Sequence, residues 1–349
     1  MESNIPKKIL CVGVICLDIV QTCEQFPLED STERSSDYRW QRGGNSSNSC
    51  TVLSLLGQPC ELLACTCADE HGSFLQNDLH KYKINYRHCP IMPLNFSCPI
   101  STVILSLSTG SRTIIYHRAS NFPELTFKDF EALDLEEYSW IHFEGRNLDQ
   151  VLAMIRRVKN YNDLLNDTHD RDIKNRDSPI MISVELERPS PELLDLLPHA
   201  DVVFVSKDFA KNQGVESMSE MLNNIGPNVK SRAAIICTWA EKGAIACIAS
   251  GNVVQSPAFP PRKVMDTLGA GDTFNAAVLY YLNRSKAEFA NKCCNVKNLE
   301  YARMEFIDET VLQKAITFAC RIAGAKVGLR GFDGLDQIYL NFLQDSSVD

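Results

Sequence analysis

Asp266-Thr-Leu-Gly-Ala-Gly-Asp-Thr-Phe274 leads directly into an apolar stretch over 274–282. Its glycines, Gly269 and Gly271, let the backbone turn tightly and aim its N–H groups outward as a helix begins. The unpaired amides and the positive end of such a helix form a site for an anion, phosphate above all. Asp272 sets a carboxylate in the first turn beside that site. An acid there serves no purpose in merely holding phosphate. It fits a hydroxyl that must lose its proton as a phosphoryl group arrives.

Working outward, apolar β-rich runs alternate with helical patterns. Strands are expected over 9–17, 61–65, 140–143, 180–184, 202–205 and 234–238, and helices over 49–56, 148–159 and 311–325. Near-continuous apolar strands alternating with helices predict a parallel sheet covered on both faces. Two segments, 18–40 and 98–117, break the rhythm and read as antiparallel strand pairs, the second turning through Ser108-Thr-Gly-Ser-Arg112. The charged stretches 162–178 and 284–309 read as surface insertions.

Bulk properties suit one large α/β domain. The chain has 349 residues, 44% of them hydrophobic, and a formal charge of −9. That balance excludes a general attraction to nucleic-acid backbones. No run reaches transmembrane length and Met-Glu-Ser-Asn-Ile-Pro-Lys-Lys8 opens no signal peptide, so a cytoplasmic enzyme away from membranes is expected. The 14 cysteines then read as reduced thiols. Neither Cys65-Thr-Cys67 nor Cys293-Cys294 has a second pair at zinc-ligand spacing, so neither is expected to hold a metal.

The 266–274 motif resembles the C-terminal signature of the ribokinase-like (PfkB) sugar kinases. Gly43-Gly44-Asn45-Ser46-Ser47-Asn48 resembles the second motif of that family. Trp40 to Cys50, Trp140-Ile-His-Phe-Glu-Gly-Arg-Asn147, Val203-Phe-Val-Ser-Lys-Asp208 and Gly331-Phe-Asp-Gly334 resemble its ketohexose-phosphorylating branch in particular. The matches run in one order over nearly the whole chain. The resemblance implies a single ribokinase-like domain over 1–349, with a three-layer α/β/α body and a mostly parallel central sheet. It also implies a small β lid built from about 18–40 and 98–117 that pairs two subunits into a homodimer. The activity implied is transfer of the ATP γ-phosphoryl group to the 1-hydroxyl of a ketohexose such as D-fructose. A kinase for another sugar or a nucleoside, or a silent sugar-binding regulator, stays open.

Candidate site residues follow. Asp18, at the end of the expected first strand, can accept two hydroxyl hydrogen bonds, though a turn aspartate would look the same. Gly43 and Gly44 bring backbone close to a ligand. Asn45 and Asn48, three apart on a first turn, read hydroxyls of mixed polarity, and Asn45 would also serve as an N-cap. Resemblance assigns Asp18, Gly44, Asn45, Asn48 and Asp272 to the sugar. Arg112 alone reads as a solvated turn arginine; resemblance gives it the nucleotide phosphates. Ala240, Glu241, Lys242 and Gly243 read as a strand-to-strand turn, and resemblance makes them the nucleotide loop with Gly269, Ala270, Gly271 and Asp272.

Asp272 is expected to act as general base, already ionised at neutral pH as an ordinary aspartate is. No Walker GxxxxGK[ST] or protein-kinase motif is present, so ATP would be held the ribokinase way. Many relatives carry an Asn-x-x-Glu element that organises Mg²⁺; here Ser206-Lys-Asp-Phe209 stands in its place. The metal ligands are therefore unassigned, with Glu144 and Lys207 as tuning groups at most, and a K⁺ requirement is left open.

Overall fold

The computed structural model describes residues 7–167, 178–249, 251–292 and 306–345. Fourteen strands are described: β1 (Lys8–Val12), β2 (Cys16–Cys23), β3 (Asp37–Gly43), β4 (Cys60–Leu63), β5 (Thr66–Cys67), β6 (Ile91–Met92), β7 (Ile100–Ser106), β8 (Arg112–His117), β9 (Tyr138–Glu144), β10 (Met181–Leu186), β11 (Val202–Val205), β12 (Ala234–Thr238), β13 (Ala244–Ile248) and β14 (Val254–Ser256). The longer helices are α1 (Asn45–Leu55), α2 (Glu70–Lys81), α3 (Phe127–Glu131), α4 (Leu148–Asp167), α5 (Lys207–Asn212), α6 (Met218–Ile225), α7 (Ala270–Lys292), α8 (Glu309–Val327) and α9 (Leu335–Asp345).

The body is an eight-stranded sheet in the order β14-β13-β12-β11-β10-β9-β1-β4. From β12 to β4 every pairing is parallel; β13 and β14 close the other edge antiparallel. Its strands are apolar along their whole length because helices cover both faces. Ile9, Ile141, Ile182, Val203 and Ile235 are fully buried. Since β4 and β9 flank β1 on opposite sides, right-handed crossovers send α1 and α4 to opposite faces. The strand order thus reverses beside β1. Ligands of such sheets sit at that switch point, outside the carboxyl ends of the strands.

The expected strand over 9–17 is in fact two. The break falls at Gly13, where an added Cβ would lie 2.2 Å from Ser46 Oγ and 2.3 Å from Glu144 Oε2. Close packing there turns the chain out of the body, and it re-enters a second sheet as β2. That sheet, in the order β3-β2-β7-β8, is the expected lid, and its two hairpins join through the parallel pair β2–β7. Unlike the body strands, β8 is exposed at all its positions.

The expected surface insertions are partly elements of the body. Residues 162–167 continue α4, and the buried Asn162 side chain bridges the N–H and C=O of Ile180 at 2.8 and 2.9 Å. Residues 284–292 continue α7, while Phe306 and Ile307 are buried. One polar residue satisfying a buried strand end, and an amphipathic face hidden among charges, account for the misreading. The remainder of both stretches, with Cys293 and Cys294, lies outside the described residues.

Candidate active site

The motif over 266–274 is braced from behind. Asp266 Oδ1 accepts from Leu268 N at 2.9 Å, while its Oδ2 accepts from Gly331 N at 3.1 Å and from the Arg39 guanidinium at 2.8 Å. Buried Lys326 donates to the carbonyls of Asp266 (3.0 Å) and Leu268. Burial pushes this lysine down to about 8, which the nearby Asp266 carboxylate opposes. Gly269 has φ 75° and faces the Phe332 ring, which an added Cβ would approach to 2.9 Å. The hydrogen-bond ladder of α7 begins at Thr273 N to Gly269 O, 2.9 Å, leaving the amides of Gly271 and Asp272 ahead of it. Space above Gly271 is open. These open amides lie where the sequence predicts an anion hole.

Asp272, 8% exposed, meets the other motif directly, since Asn48 Nδ2 donates to its Oδ2 at 2.7 Å. Asn48 Oδ1 is buried with no hydrogen-bond partner, an acceptor awaiting a donor. Gly44, not Asn45, is the N-cap of α1; its φ is 97°, and a Cβ there would strike Val14 O at 2.3 Å. Asn45, freed from capping, donates to Glu187.

Asp18 does not end β1. It lies in lid strand β2, paired across to Gln41 and Ser101, and it packs so tightly that a Cβ on Gly43 would lie 2.1 Å from its Oδ2. It is 4% exposed, and burial pushes it up to about 6. The lid sheet thus sets this carboxylate against Gly43, at the head of the second motif.

Asp272 departs from the ordinary ionised aspartate expected of it. Burial first, then the charge of Glu187, pushes it up to about 8, against the pull of the Asn48 amide and Arg112. Its carboxyl group is thus biased toward the protonated form. Glu185 and Glu187 are pushed up as well, by burial and by neighbouring carboxylates. Glu185 Oε1 accepts from Asn275 Nδ2 at 2.9 Å, one turn beyond Asp272 on α7. Glu144 is bound to Arg146 and to Val14 N at 2.9 Å, which makes it part of the switch-point scaffold.

Sequence reasoning missed Glu185 and Glu187. The signal was present, since both stand at the carboxyl end of a buried parallel strand, where ligand groups gather. Arg112 opens exposed β8, and its charge still reaches Glu187 and Asp272. Ala240 to Gly243 form a short turn between β12 and β13, with φ 43° at Ala240 and 80° at Gly243. A Cβ on Gly243 would lie 2.1 Å from Ser256 O. Lys207 pairs with Glu241 at 3.4 Å. Ser206 and Phe209, standing where relatives have Asn and Glu, do other work. The serine caps α5 by accepting from Phe209 N at 3.0 Å, and the phenyl ring is buried.

An α/β body with its anion hole, carboxylate and lid at the switch point defines a class: small-molecule kinases of the ribokinase fold. Among solved structures, ribokinase from Giardia lamblia superposes with a TM-score of 0.78 at 14% identity, covering 97% of this chain and 99% of that one. Fructokinase with bound ATP from Xylella fastidiosa gives 0.71 at 16% identity, covering 98% and 100%. These likenesses show the fold. The model of the pfkB family carbohydrate kinases matches residues 6–334, and the chain belongs to that family. Ketohexokinase of Mus musculus is 38% identical over 329 residues, covering 94% of this chain and 99% of the mouse protein. A nucleoside kinase of Methanocaldococcus jannaschii is 24% identical over 279 residues, covering 78% of this chain and 82% of its own.

Proposed function

We propose that this protein is an ATP-dependent ketohexokinase that phosphorylates D-fructose at its 1-hydroxyl. The observation that supports the reading is the 2.7 Å bond between Asn48 and Asp272, which joins the two motifs and leaves an unpartnered acceptor beside the open amides of Gly271 and Asp272. The likeness to mouse ketohexokinase selects the sugar.

In this reading Asp18, Asn45 and Asn48 bind the sugar hydroxyls, Gly44 lets the backbone approach them, and Asp272 takes the proton of the attacking one. The Gly269 to Asp272 segment receives the transferring phosphoryl group on its amides, and Arg112 neutralises charge spreading over its oxygens. Ala240 to Gly243 border the nucleotide, chiefly through backbone. Glu185 and Glu187 suit the Mg²⁺ that accompanies ATP, because a cation relieves two carboxylates crowded together at a buried strand end. When bound, that ion supplies charge neutralisation along the phosphates. If Glu187 were neutralised in this way, Asp272 would lose one of the charges that hold its proton and would ionise more readily.

The lid excludes water, which would otherwise accept the phosphoryl group. Its outer strand exposes Ile114, Ile115 and Tyr116, apolar surface that suits a homodimer through the lid. No described helix is long and apolar enough to cross a membrane, and we assign the enzyme to the cytoplasm.

A coupled ADP-release assay with Mg-ATP tests the reading, using fructose, ribose, adenosine and no acceptor in separate arms. Fructose-dependent release with a 1-phosphate product is the expected result. Release with ribose or adenosine alone would move the substrate, and silence in every arm would leave a sugar-binding protein without catalysis.

A further inference from the structure

Away from the active site, the root of the lid carries a second cluster of chemistry-bearing side chains. Among the described residues, Cys67, Asp69 and Cys98 form the one group of three or more His, Cys, Asp or Glu side chains with ligand atoms all within 4.8 Å of one another. They come from three separate segments. Cys67 ends β5, Asp69 is the N-cap of α2, and Cys98 lies two residues before lid strand β7. The sequence reading tried Cys67 with Cys65 and found no second pair. Its partner is Cys98, brought beside it only by the fold. Cys65 lines a different cavity, with Val12, Glu144 and Met154.

A further side chain stands at the edge of the group. His71 Nδ1 is buried without a hydrogen-bond partner and lies 3.8 Å from Asp69 Oδ2. Its ring is held edge-on against Trp40 of lid strand β3, at 5.4 Å between centroids. An imidazole nitrogen with no hydrogen-bond partner is an available ligand. Asp69 is held in place as well: its Oδ1 accepts from Gly72 N at 2.7 Å, and its Oδ2 from Cys98 N at 3.2 Å.

We propose that Cys67, Asp69, Cys98 and His71 form a binding site for a borderline-soft divalent cation, Zn²⁺ in the first instance. The donor set of two sulfurs, one carboxylate oxygen and one imidazole nitrogen is that of a tetrahedral zinc site. Zn–S bonds of about 2.3 Å and Zn–O bonds of about 2.1 Å put ligand atoms roughly 3.6–3.8 Å apart, so the two sulfurs and the Asp69 oxygen, all within 4.8 Å of one another, need to draw in by only about 1 Å, while the His71 ring swings in from beside Asp69 to complete the set. As the ion binds, both thiols release their protons to solvent and two Zn–S bonds form. With Asp69 ionised and His71 neutral the bound cluster carries one net negative charge. The amides of Gly72 and Cys98 and the positive N-terminus of α2 face that charge. The ion would tie the entry of β7 to α2, fixing the lid at its root.

The full chain is stripped with a chelator under reducing conditions and titrated with Cd²⁺, read by the ultraviolet charge-transfer band of Cd–thiolate bonds. Zn²⁺ content and thermal unfolding are followed in parallel. We expect one tightly bound ion per chain and a higher unfolding temperature with Zn²⁺. Both are lost in Cys67→Ser and in Cys98→Ser and kept in Cys65→Ser. Asp69→Asn, which retains the helix cap, should bind at least tenfold more weakly. Should Cys67→Ser fail to fold, Cys98→Ser decides alone. The proposal is overturned if no tight binding occurs, if binding survives loss of Cys98, or if the purified protein holds a Cys67–Cys98 disulfide in place of a metal.

Discussion

The strands of the body sheet are apolar and those of the lid sheet mix apolar with polar and charged residues, and the two sheets solve opposite problems. In the body, β10 is buried along its whole length and Ile182 is fully inaccessible. In the lid, Ile115 on β8 is 59% exposed. The body stabilises itself by removing apolar surface from water on both faces of the sheet. The lid leaves an edge strand open, and its stability is lent by what it covers or pairs with. Chemistry follows the same division. Asp272 opens a helix of the body, whereas Asp18 lies on a strand of the lid sheet.

The largest effect should come from the body's reacting group. Asp272→Asn is expected to lower kcat by about 10²–10⁴-fold, the usual contribution of a positioned base. Fructose and ATP binding, measured by calorimetry, should stay within a few-fold. A kcat within a few-fold of wild type would remove the base from the body altogether.

Stability separates the two sheets next. Ile182→Ala should cost about 2–5 kcal/mol in urea unfolding, because the cavity lies in a body covered on both faces. Ile115→Ala should change the protomer by no more than about 0.5 kcal/mol. Ile115→Asp should shift the sedimentation profile toward monomer. Equal costs for the two alanine variants would mean that the lid is as self-sufficient as the body.

A last, pH-dependent effect concerns the body's buried carboxyl group. Asp272 is raised from 3.8 to about 8 in the folded state, so between those values the native protein binds the proton that the unfolded chain has lost. Its contribution to stability is present below about pH 4 and is lost progressively as pH rises through about 8. The urea midpoint of the ligand-free wild type should therefore fall more from pH 5 to pH 8 than that of Asp272→Asn. Parallel profiles would show an ordinary, ionised carboxylate.

Several features were legible because they are local. The apolar runs with their helical partners marked the parallel sheet, and the two excursions at 18–40 and 98–117 marked the lid. The insertions were misread because composition over 162–178 and 284–309 conceals where α4 and α7 go on packing. Asp18 was assigned to the wrong sheet because Gly13 breaks the run 9–17 through contacts with Ser46 and Glu144, residues remote in sequence.

By itself the sequence determined the tight turn and helix start at 269–272, since glycines followed by an apolar helix shape a few adjacent peptide groups without outside help. It also determined the parallel body, because burial on both faces writes itself into strand composition. Only the tertiary structure decided what the site does with those parts. It brought Asn48 to Asp272 across 224 residues, turned Asn45 toward Glu187, and buried Asp272 near other carboxylates, which raises its pKa. It also set Cys98 beside Cys67. Protonation and coordination depend on distances between side chains, and those distances exist only once remote segments are packed together.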